Sequence, residues 1–388
     1  MRKYSIALAG VLLAAAAVAD PCPPALTRLA ARVAELRGLS PAFSPPCRVV
    51  STAALRGDLD RKLRRDLPLQ PELYLEALVR LGMVEGEPAA LYQRLLDFYT
   101  GQVLGFYEPA TDEMVIVDRP AAGGVESGLV WAHELAHAAQ EHRFKLPSRL
   151  LALRGDSDLQ RAVSAVAEGE AMLVALVLQG GGRDSLNQAA AALPRQASEV
   201  QAPGIPEFLV RDLVFPYSTG FGAVLAAYRH GNWPEVDTLM RRPPASTAQL
   251  MHPGRSAPAG VSAPELPAVP RGWEELLTDT FGEWTLEFLL ERRLLAPTAA
   301  NLAAVWNGDR MRIIRSQRDA GQWALAWRIR CRDDDARRSL EAVLRRLVPD
   351  LFARFSPPGA ARVDWLSVGP TVELRLAWPQ PAAAPPPP

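Results

Sequence analysis

Lysine is nearly absent. In 388 residues it occurs only at Lys3, Lys62 and Lys145, so arginine carries almost all the positive charge. With 43 basic and 43 acidic residues the formal net charge is zero, and such a chain lacks the basic footprint of a nucleic-acid binder. The arginine excess, with abundant Ala and Pro, reflects codon bias in a GC-rich genome rather than phosphate binding. Cysteine is scarce too. Cys22, Cys47 and Cys331 do not have the spacing of a zinc–cysteine site. Histidine occurs five times, and two of the five lie four residues apart. No internal repeat is evident.

The apolar run IALAGVLLAAAAV near the start is shorter than the ~20 residues that a membrane span needs. It follows Met1-Arg2-Lys3 and ends at the small residues Ala17-Val18-Ala19, the pattern of a secretory signal peptide over residues 1–19. That reading places the mature chain outside the cytoplasm, periplasmic or secreted, with no stable membrane span after cleavage. An exported chain can keep disulfides. Cys22 and Cys47 both lie in Pro-rich segments near the mature start, which suggests a bridge between them. Cys331 is then unpaired and buried in a strand.

The fold class expected is α+β, mainly helical. Residues 20–98 form an N-terminal helical subdomain with one short strand, CRVVST (47–52). Residues 103–118 (VLGFYEPATDEMVIVD) are a β-hairpin, with two β-prone runs around turn formers. ESGLVWAHELAHAAQEH is a helix of four to five turns, and residues 159–178 form a second, very apolar helix ended by Gly180–Gly182. Residues 184–250 are mainly helical, 241–254 a loop with a short turn, and WEELLTDTFGEWTLEFLLERRL a further helical region. Residues 310–378 make a small C-terminal α+β unit, in which MRIIRSQ, QWALAWRIRC, ARVDWLSVG and TVELRLAW are strands. The Pro/Ala tail, 379–388, is expected to be disordered. The central unit spans 99–309.

The chemistry lies in WAHELAHAAQEH (131–142). On a helix, positions i and i+4 share a face, so His133 and His137 present two imidazoles to one ion. Zinc accepts imidazole nitrogen, and a catalytic zinc takes three protein ligands plus a water. Glu134 is rotated by about 100° from His133 and reaches beside the metal, where a general base for the metal's water belongs. His-Glu-x-x-His on a helix is the zinc-protease pattern. The hairpin before it can supply an edge strand for an extended peptide. His142 is nine positions from His133 and points to the opposite face. Glu141, near the helix end, has a solvated surface role. His230 ends a helix as a C-terminal polar group.

The third ligand comes from elsewhere. Glu168 and Glu170 interrupt an otherwise apolar helix, and metal ligation is one compensation for burying a carboxylate. They are 200° apart, so one can bind metal while the other faces solvent or an arginine. For an oxyanion donor the candidates are Tyr217 in FPYSTG and His252 in QLMHPG, each beside a proline as in a loop of fixed direction.

In these residues the chain resembles the gluzincins, which follow an HExxH helix with a helix bearing a glutamate ligand. The zinc aminopeptidases among them begin that ligand stretch with Glu-Gly-x-Ala, and here Glu168-Gly169-Glu170-Ala171 stands in its place, pointing to Glu168 as ligand. More closely, the chain resembles a group of exported bacterial proteins of gluzincin type. The likeness runs over Gln102–Pro109, His133–Glu141, Glu168–Ala171, Phe215–Gly220, Gly231–Trp233, Pro243–Pro253, Gly282-Glu283 and Trp306–Arg310, roughly residues 100–310. The resemblance implies a zincin-like core and a zinc metallopeptidase, with one zinc on His133, His137 and Glu168. Glu134 would be the base, and Tyr217 or His252 the oxyanion donor. The thermolysin pattern adds an Asp four residues after the ligand glutamate, but Met172 stands there. The carboxylate orienting a ligand histidine must then come from elsewhere, with Asp156 and Asp158 as options. The aminopeptidases' Gly-x-Met-Glu-Asn-type segment is missing, which favours an endopeptidase acting on peptides or proteins. The alternative is a non-catalytic exported protein with a structural zinc and a partner-binding C-terminal unit. The oligomeric state is not legible.

Overall fold

The computed structural model describes residues 22–119, 125–200, 202–255, 266–355 and 363–379. The leader expected over 1–19, and all but the first residue of the expected Pro/Ala tail, lie outside them. The fold is α+β with a helical core, as expected.

Helix α1 (Pro24–Arg37) starts on a proline and stops at Gly38, whose left-handed conformation (φ 64°) lets its N–H close on the last turn. Strand β1 (Cys47–Val50) leads to α2 (Thr52–Asp66), where the Ser51 hydroxyl accepts the Ala54 amide as an N-cap. Helices α3 (Pro71–Arg80) and α4 (Pro88–Gln102) follow. The hairpin is β2 (Gly105–Glu108) and β3 (Glu113–Val117), antiparallel as its turn formers predict. β1 pairs in parallel with β3, giving the order β1-β3-β2 and leaving β2 at the edge. Cys22 and Cys47 are bridged, and Cys331 is free and buried in a strand.

The centre is a stack of helices: α5 (Val125–Phe144), α6 (Leu146–Ala152), α7 (Ser157–Leu178), α8 (Arg183–Glu199) and α9 (Glu207–Arg241). α5 lies under the hairpin, burying Trp131, Leu135 and Ala138 with Tyr107, Met114 and Ile116. α7 is apolar nearly all round because α5 packs on one side and α9 on the other. The α7–α9 crossing is close: a Cβ on Gly169 would fall 2.4 Å from the Gly220 carbonyl carbon, and one on Gly220 would fall 1.8 Å from the Ala165 oxygen. α9 breaks at Gly231–Asn232, where Asn232 has φ 58°, and then continues through Pro234 to Arg241.

After α10 (Thr247–Met251), residues expected to continue as one helical region divide. WEELLTD is instead strand β4 (Trp273–Asp279), and only α11 (Gly282–Glu291) is helical. The reason is non-local. β4 pairs with a distant strand, Trp273 opposite Ser316 and Leu277 opposite Ile313, and a bulge between Glu275 and Leu277 breaks the alternation a strand would show in sequence. Helix α12 (Ala296–Ala303) precedes β5 (Trp306–Ser316), β6 (Trp323–Cys331), α13 (Asp334–Leu351), a 3-10 turn (Ala353–Phe355), β7 (Val363–Val368) and β8 (Thr371–Leu376). The strands form an antiparallel sheet ordered β4-β5-β6-β8-β7. Among the described residues no helix is long and apolar enough to cross a membrane.

Candidate metal centre

α5 places His133 and His137 one turn apart, with ring centres 4.8 Å apart and planes crossed at 85°. Their Nε2 atoms are 3.1 Å from each other. Glu168, from the middle of α7, sets its Oε2 at 2.9 Å from the His133 Nε2 and 3.4 Å from the His137 Nε2. Zinc–nitrogen and zinc–oxygen bonds of about 2.0–2.1 Å in a tetrahedron put ligand atoms roughly 3.3 Å apart, so these three separations match three corners of a zinc site. The donor chemistry fits as well, being two imidazoles and one carboxylate, all largely buried. Among the described residues no fourth His, Cys, Asp or Glu joins the group, and three protein ligands with one open corner is the catalytic form of a zinc site.

The electrostatics describe what the cluster does without a cation. Burial alone would lower the pKa of His137, but the Glu168 carboxylate outweighs it and raises that pKa to about 10. Burial acts to raise the Glu168 pKa, yet His137 and His133 hold it well below the usual carboxylate range. Two close nitrogens and a carboxylate thus retain positive charge between them, and a divalent cation meets the same need.

A buried chain of hydrogen bonds sets how His137 is presented. Its Nδ1 is 3.0 Å from the Gln140 Oε1. The Gln140 amide nitrogen donates to the Ala167 carbonyl at 2.8 Å and to the Glu170 Oε2 at 2.7 Å. Both partners only accept, so Gln140 must turn its nitrogen to them and its oxygen to His137. His137 then carries its proton on Nδ1, and Nε2 keeps a lone pair for a metal. Behind Glu170 stands Arg37 of α1, whose Nε donates at 2.6 Å and whose second arm reaches Asp237 at 2.7 Å. Its guanidinium lies 4.3 Å over the Trp233 ring, and Arg143 closes the network on Asp237. Glu170 therefore takes the arginine of its two expected alternatives. The i, i+3 spacing of His137 and Gln140 was visible in the sequence. The pairing of Arg37 with Glu170, 133 positions apart, had no sequence signal beyond a buried acid needing a cation.

Glu134 sits beside the cluster and accepts the Tyr107 amide of β2 at 2.9 Å. Tyr217 lies not in a loop but within α9, after Pro216. The α7–α9 crossing brings its ring to 6.0 Å from that of His133, nearly parallel, with Glu168 close by. The charge of Glu168, then burial, then Glu134 raise its pKa well above the ordinary phenol value. His252 caps α10 outside the cluster, with its Nε2 2.5 Å from Glu283, which also receives Arg255 at 2.9 Å.

Neither proposed orienting aspartate meets a ligand histidine. Asp156 caps α7 by accepting the Leu159 amide, and Asp158 is buried against Thr247. Glu141 is not a surface group. It is 7% exposed and accepts the Ser148 amide and hydroxyl at the start of α6, because the chain turns back at Lys145 and covers it. His142 does face outward, against Asp112.

Residues 96–202, which contain the whole cluster, match a family described as "Putative metallopeptidase family (DUF6782)". No curated protein and no solved structure matches the chain. The family match and the His-His-Glu cluster agree on a metallopeptidase-like centre whose donors suit zinc.

Proposed function

We propose that the chain is an exported, gluzincin-type endopeptidase that uses one zinc ion, held by His133, His137 and Glu168, to hydrolyse peptide bonds of a peptide or protein substrate outside the cytoplasm. The observation that carries this reading is the convergence of three donors within 4.8 Å of one another beside a glutamate that touches an open strand edge. Zinc, when bound, polarises the carbonyl and acidifies a water.

The remaining work falls to the chain's own groups. In an antiparallel pair each residue's N–H and C=O point to one side. The Tyr107 amide meets Glu134 on the side away from β3, so β2 offers its free edge to the cluster. An extended peptide added there runs past Glu134. The Glu134 carboxylate takes a proton from the attacking water and passes it to the departing amine. Tyr217, whose raised pKa keeps its hydroxyl protonated at neutral pH, donates to the developing oxyanion; its place against the cluster favours it over His252. The non-catalytic alternative would call for a closed four-ligand zinc, and among the described residues three donors converge.

The test is Glu134→Gln on purified mature protein. It should bind one zinc per chain and lose peptide hydrolysis. Hydrolysis retained by that variant rules out the role.

A further inference from the structure

A cavity of about 410 Å³ opens beside the cluster, and Glu168 and Tyr217 form part of its wall. That volume lies within the range of small-ligand pockets, roughly 300–1,000 Å³. Its far side comes from the N-terminal helices, where Leu63 of α2, Leu75 of α3 and Leu95 of α4 supply an aliphatic surface. Two tyrosines break that surface. Tyr99 lies near Tyr217, and Tyr74 lies near Asp212 and Arg161.

The hydroxyls of Tyr74 and Tyr99 have no hydrogen-bond partner among the described residues. Tyrosine hydroxyls in such surroundings ordinarily find one. Asp212 is similar: Oδ1 takes the Arg161 Nε at 2.6 Å, Oδ2 has no partner among the described residues, and the side chain stays 37% exposed to the cavity. The cavity thus combines apolar walls, two unused hydroxyls and one unused carboxylate oxygen.

We propose that this cavity receives a tyrosine side chain of the substrate next to the cleaved bond, an inference that rests on the peptidase reading above. An aromatic ring fills the apolar walls. A phenol hydroxyl donates to the Asp212 Oδ2 and accepts from Tyr74 or Tyr99, completing the groups that the fold leaves open. Phenylalanine leaves all of them dry and unpaired, which is costly for buried polar groups. Lysine or arginine meets Asp212 already neutralised by Arg161.

The experiment uses zinc-loaded full-length protein and quenched peptides identical except at one position beside the cleaved bond, carrying Tyr, Phe, Leu, Lys or Ala. The Tyr peptide should exceed the Phe peptide by about 10-fold in kcat/KM, the worth of one or two net hydrogen bonds. Tyr74→Phe should shrink that ratio, and Leu213→Trp, which fills the cavity, should move the preference to Ala. Equal rates for Tyr and Phe, preference for Lys, or a ratio unmoved by Tyr74→Phe overturns the proposal. If wild type cleaves no peptide, the peptidase reading fails on its own. The cavity is then tested by calorimetric binding of the uncleaved Tyr and Phe peptides: selective Tyr binding lost in Tyr74→Phe supports it, and no selectivity overturns it.

Discussion

Replacing Glu170 with glutamine keeps the shape of a buried side chain and exchanges one acceptor for a donor, and its consequence should appear 30 positions away in sequence. In the native chain Gln140 is locked, because its nitrogen faces two acceptors, Ala167 and Glu170. A hydrogen bond to a charged group contributes about 1.5–3 kcal/mol. In Glu170→Gln that bond is lost, and a glutamine nitrogen turned toward Gln140 favours the flipped amide. A flipped Gln140 presents N–H to the His137 Nδ1, which drives the imidazole proton to Nε2 and removes the lone pair a metal needs. Losing about 2 kcal/mol of orientation corresponds to roughly 30-fold weaker zinc binding, inside the 10–100-fold range typical of groups that orient metal ligands. Arg37, 2% exposed, also loses one of its two carboxylates, so the apo protein should melt at a lower temperature. Zinc affinity is measured by competition with a chromophoric chelator, alongside thermal melts of both proteins without metal. Unchanged zinc affinity in a folded Glu170→Gln protein refutes the relay, whatever happens to the melting temperature.

Other perturbations probe different parts of the arrangement. Gly220→Ala forces a methyl against the Ala165 carbonyl, an overpacking expected to cost about 1–3 kcal/mol and to disturb the Tyr217–Glu168 contact; a wild-type denaturation midpoint would show that the helices have room to part. Tyr217→Phe should keep the metal and lower kcat by about 100-fold with little change in KM, the loss typical of one oxyanion donor; steady-state kinetics decide. Burial raises the Asp158 pKa to about 8, against opposing help from Thr247, and that of Asp279 to about 6. Both folded-state values lie above the unfolded one, so the folded chain holds protons that the unfolded chain releases from about pH 4 upward. Stability should therefore fall as pH rises, through about 6 for Asp279 and about 8 for Asp158. Asp158→Asn should flatten the upper part of that decline in urea titrations, and an unchanged slope between pH 6 and 8 would contradict it.

The ease with which the centre could be read has a local cause. His133, Glu134 and His137 are arranged by the helix alone, so their relation follows from spacing. The hairpin, the two central helices and the strands that follow Trp306 were legible for a similar reason, each carrying its signal, apolar run, turn formers or helix stop, within its own residues. Strand β4 was not, because its bulge hides the alternation and its partner lies in β5. For Tyr217 the local sequence points to a loop, since Pro216 is a poor helix former. There the packing of α9 on α7 overrides local preference.

What the sequence determined by itself is the pair of imidazoles, the glutamate between them, and a helix whose acids needed partners. The Glu-Gly-x-Ala likeness pointed to Glu168 as the ligand, but only the tertiary structure brought it to the histidines and decided what Glu170 meets. Glu168 and Glu170 interrupt the same apolar helix two residues apart, and they differ because α7 turns one toward α5's histidines and the other toward Arg37. Arg37 comes from the first described helix and Asp237 from the far end of α9, and no local rule joins residues 200 positions apart. Charge buried without water must find its complement in space, and where that complement comes from is settled by packing.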